Sequence, residues 1–546
     1  MKELLTVLGC LLIPAAVLIP PIRRGEGRLS NRLKACRYEW AVYAALAVGF
    51  AVRLTALGDY PAGFNQDEAS AAYDAYSILK TGYDRNGQFL PVHLIAWGSG
   101  QNALYSYLSI PFLAVFGLKV WAFRLPMALI GCLSLVAFWR LLLAIAGRKT
   151  GLIGLALLAV CPWHILKSRW ALESNLFPDL VLFGVLFLVL GLKKNRLPSF
   201  LAGCGILGLS AYAYGTSYLF LPAFVLPLWI FLLWQKTCTF RRAGAGLGVL
   251  ILVALPMILF VFVNTFAFET IRLPFMTIPR LPANRMAALA SIFSGEFLGE
   301  SLRNFAEAFK IAVTQRDGLV WNSMDGFGIT YLFSLPFTVM GMLRGVMGRK
   351  EERPAFGSVM NAWFCAALVL TFVVEPNINR INALWIPWLY YTTLGVSAVA
   401  EVRRLFRTAT AGLYTAAFLL FVTQYGTGYQ EKMKTAFEDS FGEAVVYAAG
   451  CGAERVYVTD QVNGAYALTL FYTAEDPVEF RETAVIANPG AMFERVTSFG
   501  RFYFDTPVSL PEGSAAVVRN ETAEQDRYAS YQKTRFERFT VLENTT

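Results

Sequence analysis

Histidine is nearly absent from this chain: His93 and His164 are the only two in 546 residues, which excludes a histidine-rich metal centre. Cysteine is hardly better placed. Seven of the eight lie in or beside the first 425 residues, among them Cys10, Cys132, Cys161, Cys204 and Cys365, while Cys451 stands alone in the tail. Neither a disulfide scaffold nor a thiolate zinc site follows from that arrangement. The tail also lacks a glycine-rich loop after a strand-like run, so a nucleotide site has no motif behind it. Charge is scarce as well, at 16% of residues against 56% hydrophobic.

What fills the chain instead is apolar sequence in runs of membrane-spanning length, at 41–57, 176–192, 243–263 and 409–423 among others. A soluble protein cannot bury such runs one after another. The pattern predicts a polytopic all-α membrane protein with about 12–13 hydrophobic helices, each near the bilayer thickness. A transmembrane barrel would instead show segments of roughly 10 residues with every second residue apolar. The formal charge of +10 has a plain cause in such a chain. Lys and Arg are retained on the cytoplasmic side, and the patches at 23–37, 193–196, 236–242, 344–353 and 403–407 fit that role. Nucleic-acid binding gains little support. The run at 4–19 is apolar like a signal peptide, but its basic residues follow it, so it reads as a retained first helix.

Placing those patches inside puts residues 58–104, 210–217, 264–326 and 375–380 outside, together with the tail. The chain is therefore expected in the cell or cytoplasmic membrane as a multi-pass protein, with its chemistry on the extracytoplasmic face. One stretch resists the count. Between 105 and 163 lie three short apolar segments, centred near Ile110, Leu133 and Leu157. Three crossings would leave Arg169 on the wrong side. Either one segment is surface-bound or re-entrant, or Arg124, Arg140, Arg148 and Lys149 mark a break elsewhere.

From about residue 426 the character changes and charged residues become frequent. A helical stretch at 431–449 precedes the strand-like 455–459, a helix near 464–472, and strand-like runs at 479–486 and 501–504. The expected organisation is a membrane catalytic domain over 1–425, with external loops 58–104 and 264–326, and a small extracytoplasmic α/β domain over 426–546.

The residues that could do chemistry cluster outside. Asp67 and Glu68, in Gly63-Phe64-Asn65-Gln66-Asp67-Glu68-Ala69-Ser70, are adjacent carboxylates where a membrane helix gives way to a loop. They could cap the helix that follows or form a reactive pair. The polar cluster continues through Tyr73, Asp74, Lys80, Tyr83, Asp84, Arg85 and Asn86 to Asn102 and Tyr105. A loop of about 45 residues with this content exceeds what a connector needs. A second cluster runs Pro162-Trp163-His164-Ile165-Leu166-Lys167-Ser168-Arg169-Trp170-Ala171-Leu172-Glu173. If helical, Arg169 and Glu173 share a face, either as a local ion pair or as a site pair in which Arg169 holds a phosphate. Arg280, Arg285, Lys310, Arg316 and Arg380 are further outward cations suited to an anionic headgroup. Tyr212, Tyr214 and Tyr218 read as interface anchors or as the lining of a sugar or prenyl groove.

These clusters resemble a known family. The segment 63–69, followed by Tyr73-Asp74-Ala75-Tyr76 and Leu79-Lys80-Thr81-Gly82, looks like the first external loop of membrane glycosyltransferases of the protein O-mannosyltransferase and aminoarabinose transferase type. Pro162-Trp163-His164 with Ser168-Arg169 and Glu173 resembles their second external motif, and Asn379-Arg380-Ile381-Asn382 with Pro387 a later one. The likeness spans most of 40–400. It implies the multi-helix GT-C architecture and transfer of a sugar from a polyprenyl phosphate carrier to an acceptor outside the membrane. By the same resemblance Asp67 is the catalytic carboxylate, Glu68 its acidic partner and Glu173 the second-loop acid. Arg169, Arg380, Tyr73, Asn102, Tyr105 and Tyr214 are the expected substrate-binding residues.

The chemistry fits those residue types. An acceptor hydroxyl or amine must lose a proton as it attacks, which suits Asp67 as general base. The departing lipid phosphate needs a cation, and direct displacement inverts the anomeric centre. No cofactor is called for, although two carboxylates are compatible with a divalent cation. The alternative is a transporter or flippase of a polyprenyl-linked or other anionic lipid, its carboxylates relaying protons. A scaffold for envelope assembly is a third. Donor sugar and acceptor are not legible.

Overall fold

A computed structural model describes residues 29–283, 297–347 and 356–544 of the chain. The expected helix at 4–19, the first part of the patch at 23–37, Arg285 and part of the patch at 344–353 lie outside the described residues. The membrane part runs α1 (Leu29–Leu54), α2 (Gln66–Thr81), the hairpin β1 (His93–Leu94) and β2 (Gln101–Asn102), α3 (Leu104–Phe116), α4 (Val120–Ala159), α5 (Pro162–Lys167), α6 (Phe177–Lys193), α7 (Leu197–Leu209), α8 (Ser217–Trp234) and α9 (Phe240–Thr265). The hairpin β3 (Ile271–Leu273) and β4 (Met276–Ile278) follows, then α10 (Phe297–Thr314), α11 (Leu335–Met342), α12 (Gly357–Val373), α13 (Trp385–Val402) and α14 (Arg404–Gly426). Among the described residues five helices are long and apolar enough to cross a membrane by length and composition, and shorter apolar helices pack with them.

The stretch that defeats a count from sequence has a definite geometry. Gly147, at φ 85° and ψ 178°, breaks α4 into two legs. The legs fold back so tightly that a Cβ on Gly154 would lie 2.0 Å from Leu142. The turn between them faces the start of α1 and the end of α6: Trp139 donates to the Tyr38 hydroxyl at 3.1 Å, and Lys193 Nζ donates to the Ala144 carbonyl at 2.5 Å. At the other end, Arg53 Nη2 near the end of α1 donates to the Leu158 carbonyl at 3.0 Å. These two legs make the crossings. α3 makes none. Tyr105 at its start bonds the Phe123 carbonyl and Phe116 at its end packs on Trp121 with ring centroids 4.9 Å apart, so both ends touch the outer start of α4. Arg169 therefore falls on the outer side, beside the end of α1.

Beneath that outer end four charged or polar groups are buried together. His164 Nδ1 lies 2.9 Å from Arg53 Nη2, its Nε2 lies 3.4 Å from Asp179 Oδ1, and Lys167 Nζ pairs with the other Asp179 oxygen. The cluster joins α1, α5 and α6. His164 is accordingly a structural linker.

The tail is a mixed seven-stranded sheet with helices, extracytoplasmic as expected. Its order is β10 (Gln532–Arg535), β11 (Phe539–Asn544), β9 (Ser514–Arg519), β5 (Arg455–Val458), β8 (Phe502–Tyr503), β7 (Val496–Phe499) and β6 (Val485–Ile486). β5 runs parallel to both β8 and β9, and the other pairs are antiparallel. Two local expectations are corrected. The helical stretch at 431–449 is two helices, α15 (Gly428–Ala436) and α16 (Phe441–Gly450), because Glu438 and Ser440 take left-handed φ of 50° and 61° between them. Residues 479–486 are mostly helical: Asp476 caps α18 (Pro477–Thr483) by accepting the Val478 and Glu479 N–H groups, with Pro477 in the first turn, and only Val485–Ile486 is strand. Between β5 and that cap lies α17 (Ala465–Thr473).

The tail sits on the first external loop through many contacts. The Phe64 N–H donates to the Phe437 carbonyl at 2.7 Å, the Ala62 N–H to Gln430 Oε1 at 2.9 Å, and the Tyr73 hydroxyl to the Glu475 carbonyl at 3.0 Å. Phe64 packs on Phe471 with centroids 4.5 Å apart. A Cβ on Gly63, which has φ +76°, would stand 2.3 Å from the Phe437 carbonyl oxygen. Glycine is required there by both conformation and space.

Candidate active site

The loop after α1 turns into α2 at Asn65. The Asn65 side chain accepts the Asp67 N–H at 2.8 Å, and Glu68 returns the favour by accepting the Asn65 N–H at 3.3 Å. This capping box is worth about 1 kcal/mol. Asn65 is the cap, so neither carboxylate is needed for that task alone.

The two adjacent acids then part company. Glu68 is fully buried. Its Oε1 accepts from Arg124 Nε at 2.8 Å and from the Ala171 N–H at 2.8 Å, while its Oε2 accepts from Arg124 Nη2 at 2.8 Å. Arg124 spends its other donors on the Pro61 and Gly63 carbonyls, at 2.8 and 2.9 Å. Glu68 thus joins α2, α4 and the loop after α5, away from solvent. Asp67, half-buried, instead lines a cavity of about 450 Å³ at the outer end of the helices.

Glu173 lines the same cavity. Its spacing from Arg169 does not put the two on one helical face. α5 ends at Lys167, Leu172 is extended at φ −84° and ψ 135°, and Glu173 opens a short 3-10 turn. Arg169 goes elsewhere. Its guanidinium donates to the Val52, Thr55 and Tyr60 carbonyls at 2.7, 2.7 and 2.9 Å and to the Tyr425 hydroxyl at 3.0 Å. It satisfies the orphan carbonyls at the end of α1 and ties α14 to them.

The residue that joins the two cavity acids is Gln101, on the hairpin. Its Nε2 donates to Glu173 Oε2 at 3.0 Å and to the Asp67 carbonyl at 3.3 Å. Trp97 completes the setting, its indole N–H donating to Asp67 Oδ1 at 3.1 Å. Asn102, on the other face of the hairpin, donates to the Tyr218 hydroxyl at 3.3 Å. Tyr218 in turn stands at an apolar cleft of about 340 Å³ between α8 and α9, lined by Leu221, Val225, Leu250, Ala254 and Met257. The polar cavity and the apolar cleft are therefore linked through consecutive residues of one strand, Gln101 lining the first and Asn102 bonding Tyr218 at the second.

Of the other expected binding residues, Tyr73 and Tyr105 are buried with their hydroxyls on backbone carbonyls. Tyr214 is half-buried just before α8. Arg380 is half-buried and paired with Glu375 at 2.8 Å. None of these lines the cavity. The far wall comes from the tail: Asp460, Tyr466, Glu494 and Arg495 line it, with Arg495 and Asp460 3.5 Å apart. Four carboxylates thus face one cation. Sequence reading missed Trp97, Gln101 and the tail residues. The one signal for the first two is the pair of glycines in Trp97-Gly98-Ser99-Gly100-Gln101, a turn signature between polar positions.

Behind this site Asp74, Asp84 and Arg85 form a buried cluster. Burial and the Asp74 charge push the Asp84 carboxyl up to about 7. Burial holds His93, stacked on Phe260 at 4.3 Å, down to about 4, so it is neutral. Among the described residues no group of three or more His, Cys, Asp or Glu side chains is arranged to hold a metal ion.

The whole architecture has a solved counterpart. ArnT from Cupriavidus metallidurans bound to undecaprenyl phosphate superposes with a TM-score of 0.52 at 13% identity, over 92% of this chain and 98% of that one. This is the GT-C fold. The apo form of the same GT-C protein gives 0.51 at 14% identity, over 93% and 98%. A family model described as dolichyl-phosphate-mannose-protein mannosyltransferase matches residues 103–263, which include Arg124, Arg169, Glu173 and the apolar cleft but not Asp67. No curated protein matches the chain.

Proposed function

We propose that this protein transfers a sugar from a polyprenyl-phosphate donor to an acceptor on the extracytoplasmic side, with residues 1–425 as the catalytic domain and 426–546 as its extracytoplasmic partner. The observation that carries the reading is the junction at Gln101 and Asn102. There a polar cavity lined by Asp67 and Glu173 is linked, through two consecutive side chains, to an apolar cleft of about 340 Å³. A donor with a sugar at one end and a hydrocarbon at the other matches both halves. The lipid named in the ArnT structure and the dolichyl-phosphate-mannose of the family description belong to the same chemical class.

In this mechanism the acceptor oxygen or nitrogen bonds the anomeric carbon while its proton passes to the Asp67 carboxylate. The bond from the anomeric carbon to the phosphate oxygen breaks, and the electron pair leaves on the polyprenyl phosphate. A single displacement inverts the anomeric centre. Glu173, held by Gln101, orients the acceptor. Glu68 and Arg169 act at a distance, fixing α2 and the end of α1. A transport reading fits less well, because both cavity acids lie at the outer rim and not at the membrane midplane.

Purified protein in lipid nanodiscs, offered a panel of polyprenyl-phosphate sugars, tests the reading by mass spectrometry. The expected result is a donor-dependent product of inverted configuration, lost in folded Asp67→Asn that still binds donor. Transfer that survives in Asp67→Asn removes the base assignment. Donor that crosses a liposome bilayer without sugar release favours transport.

A further inference from the structure

Trp97 is placed as few tryptophans are. Its backbone is left-handed, at φ 56°, a conformation that is costly for a bulky residue and persists only where the surroundings hold it. A tight turn sets it locally, the Ser99 and Gly100 N–H groups donating to the Ala96 carbonyl at 3.0 and 2.8 Å, and the C-terminal domain grips that turn from outside. The Glu494 N–H donates to the Trp97 carbonyl at 3.1 Å, and Gly98 forms an isolated bridge with Phe493. A Cβ on Gly98 would stand 2.1 Å from the Ala491 carbonyl oxygen. On the indole itself, Tyr466 packs edge-on at 5.5 Å, and a Cβ on Gly464 would come within 2.7 Å of Cη2. Arg85 lies 5.7 Å from both the Trp97 and the Tyr466 rings.

The clamping loop is itself locked. Asn488 Nδ2 donates to the Phe493 carbonyl at 3.0 Å, Asn488 Oδ1 accepts the Arg495 N–H at 2.6 Å, and Glu494 Oε1 accepts the Gly490 N–H at 2.8 Å. A rigid loop of one domain thus holds the backbone of a residue whose indole N–H reaches the proposed base in the other.

We infer that Trp97 is a positioning residue for Asp67 and that the C-terminal domain, through the loop 488–495, sets its position, making that domain part of the catalytic machinery. The inference rests on Asp67 as the base. A hydrogen bond to a carboxylate favours its ionised form over the protonated one and restricts its rotamer, and misplacement of such a group costs rate more than binding.

The test compares wild type, Trp97→Phe, Asn488→Ala and Asp67→Asn in nanodiscs. Trp97→Phe keeps the ring packing and removes the donor. It is expected to lower kcat about 10–100-fold, to leave the donor KM within about threefold, and to move the acid limb of the kcat profile up by about one pH unit. Asn488→Ala, remote from the cavity, is expected to shift kcat and the acid limb in the same direction by a smaller factor. Asn488→Asp, which keeps the acceptor for Arg495, falls between and serves if the alanine variant fails to fold. An unchanged pH profile in Trp97→Phe, or a rise in KM that accounts for the whole loss, overturns the positioning role while an inactive Asp67→Asn leaves the base assignment standing. An active Asp67→Asn removes both. Hydrogen exchange supplies a readout free of catalysis: Asn488→Ala should speed exchange at the Ser99, Gly100 and Glu494 amides at least tenfold, and unchanged exchange overturns the clamp.

Discussion

Two neighbouring carboxylates with opposite fates permit a sharp experiment: Glu68→Gln against Asp67→Asn. Both changes remove one negative charge and keep the shape. Glu68 makes four hydrogen bonds as acceptor, two of them to one guanidinium, and neither it nor Arg124 is exposed. A glutamine in its place presents an NH₂ group to at least one of those donors and leaves Arg124 buried without its counter-charge. Breaking a buried pair in this way costs about 3–5 kcal/mol. At about 2.1 cal/mol/K per residue of unfolding entropy, that lowers Tm by about 3–4 °C if a chain of this size unfolds as one unit. Asp67 is half-buried at the cavity wall, so its amide should change Tm by less than about 1 °C. Transfer activity is expected to fall by about 10²–10⁴ in Asp67→Asn and to remain within about tenfold of wild type in Glu68→Gln at a temperature where it is folded. Thermal unfolding in nanodiscs and initial rates on the same preparations read both quantities. A Glu68→Gln protein as stable as wild type refutes the structural role, and one that is stable yet inactive gives Glu68 a chemical role instead.

Asp84 predicts a pH dependence whose sign can be worked out. Its folded-state pKa of about 7 lies above the ordinary carboxylate value, so between about pH 4 and pH 7 the folded chain holds a proton that the unfolded chain releases. Stability therefore declines as pH rises through that window and is flat above it. Asp84→Asn, which mimics the protonated form and keeps an acceptor for the Asn86 and Gln88 N–H groups, should reduce the slope, leaving the part owed to Asp74, whose carboxyl burial also raises, and exceed wild type in stability above pH 7, as read by melts across pH 4–8. Arg169→Lys keeps the charge but loses the fork that serves three carbonyls and Tyr425. It should lower Tm while leaving the donor KM unchanged, and a KM effect at unchanged Tm would return Arg169 to the phosphate. Ala254→Trp in the apolar cleft should raise KM for a long-chain donor at least tenfold and much less for a short-chain analogue; equal effects would place the lipid elsewhere.

The apolar runs and their basic punctuation make the fold class legible in the sequence, because spanning length and positive-inside bias act locally along the chain. The place of Asp67 in the polar cavity is legible too, since a polar cluster at the mouth of a membrane helix is costly to leave idle. The role of its neighbour is not, since Glu68 is distinguished from Asp67 only by an arginine 56 positions away and an amide 103 positions away. The same holds for Arg169, whose partners at Val52–Tyr60 lie more than 100 positions upstream. Its apparent helical spacing from Glu173 fails because α5 stops at Lys167. The three apolar segments at 105–163 mislead for a local reason. Composition gives hydrophobicity but not orientation, and α3 is as apolar as a crossing helix while lying along the outer end of α4. Trp97 was hidden most deeply. The glycines beside it announce a turn, but that the loop near Phe493 grips this turn, nearly 400 positions downstream, has no local signal. The general consequence is that the cavity acids Asp67 and Glu173 are bonded by Trp97 and Gln101 of the first external loop, whereas the loop that grips the Trp97 turn comes from the opposite end of the chain. Substitutions that redirect the chemistry should therefore be sought in the tail loops as readily as in the first external loop.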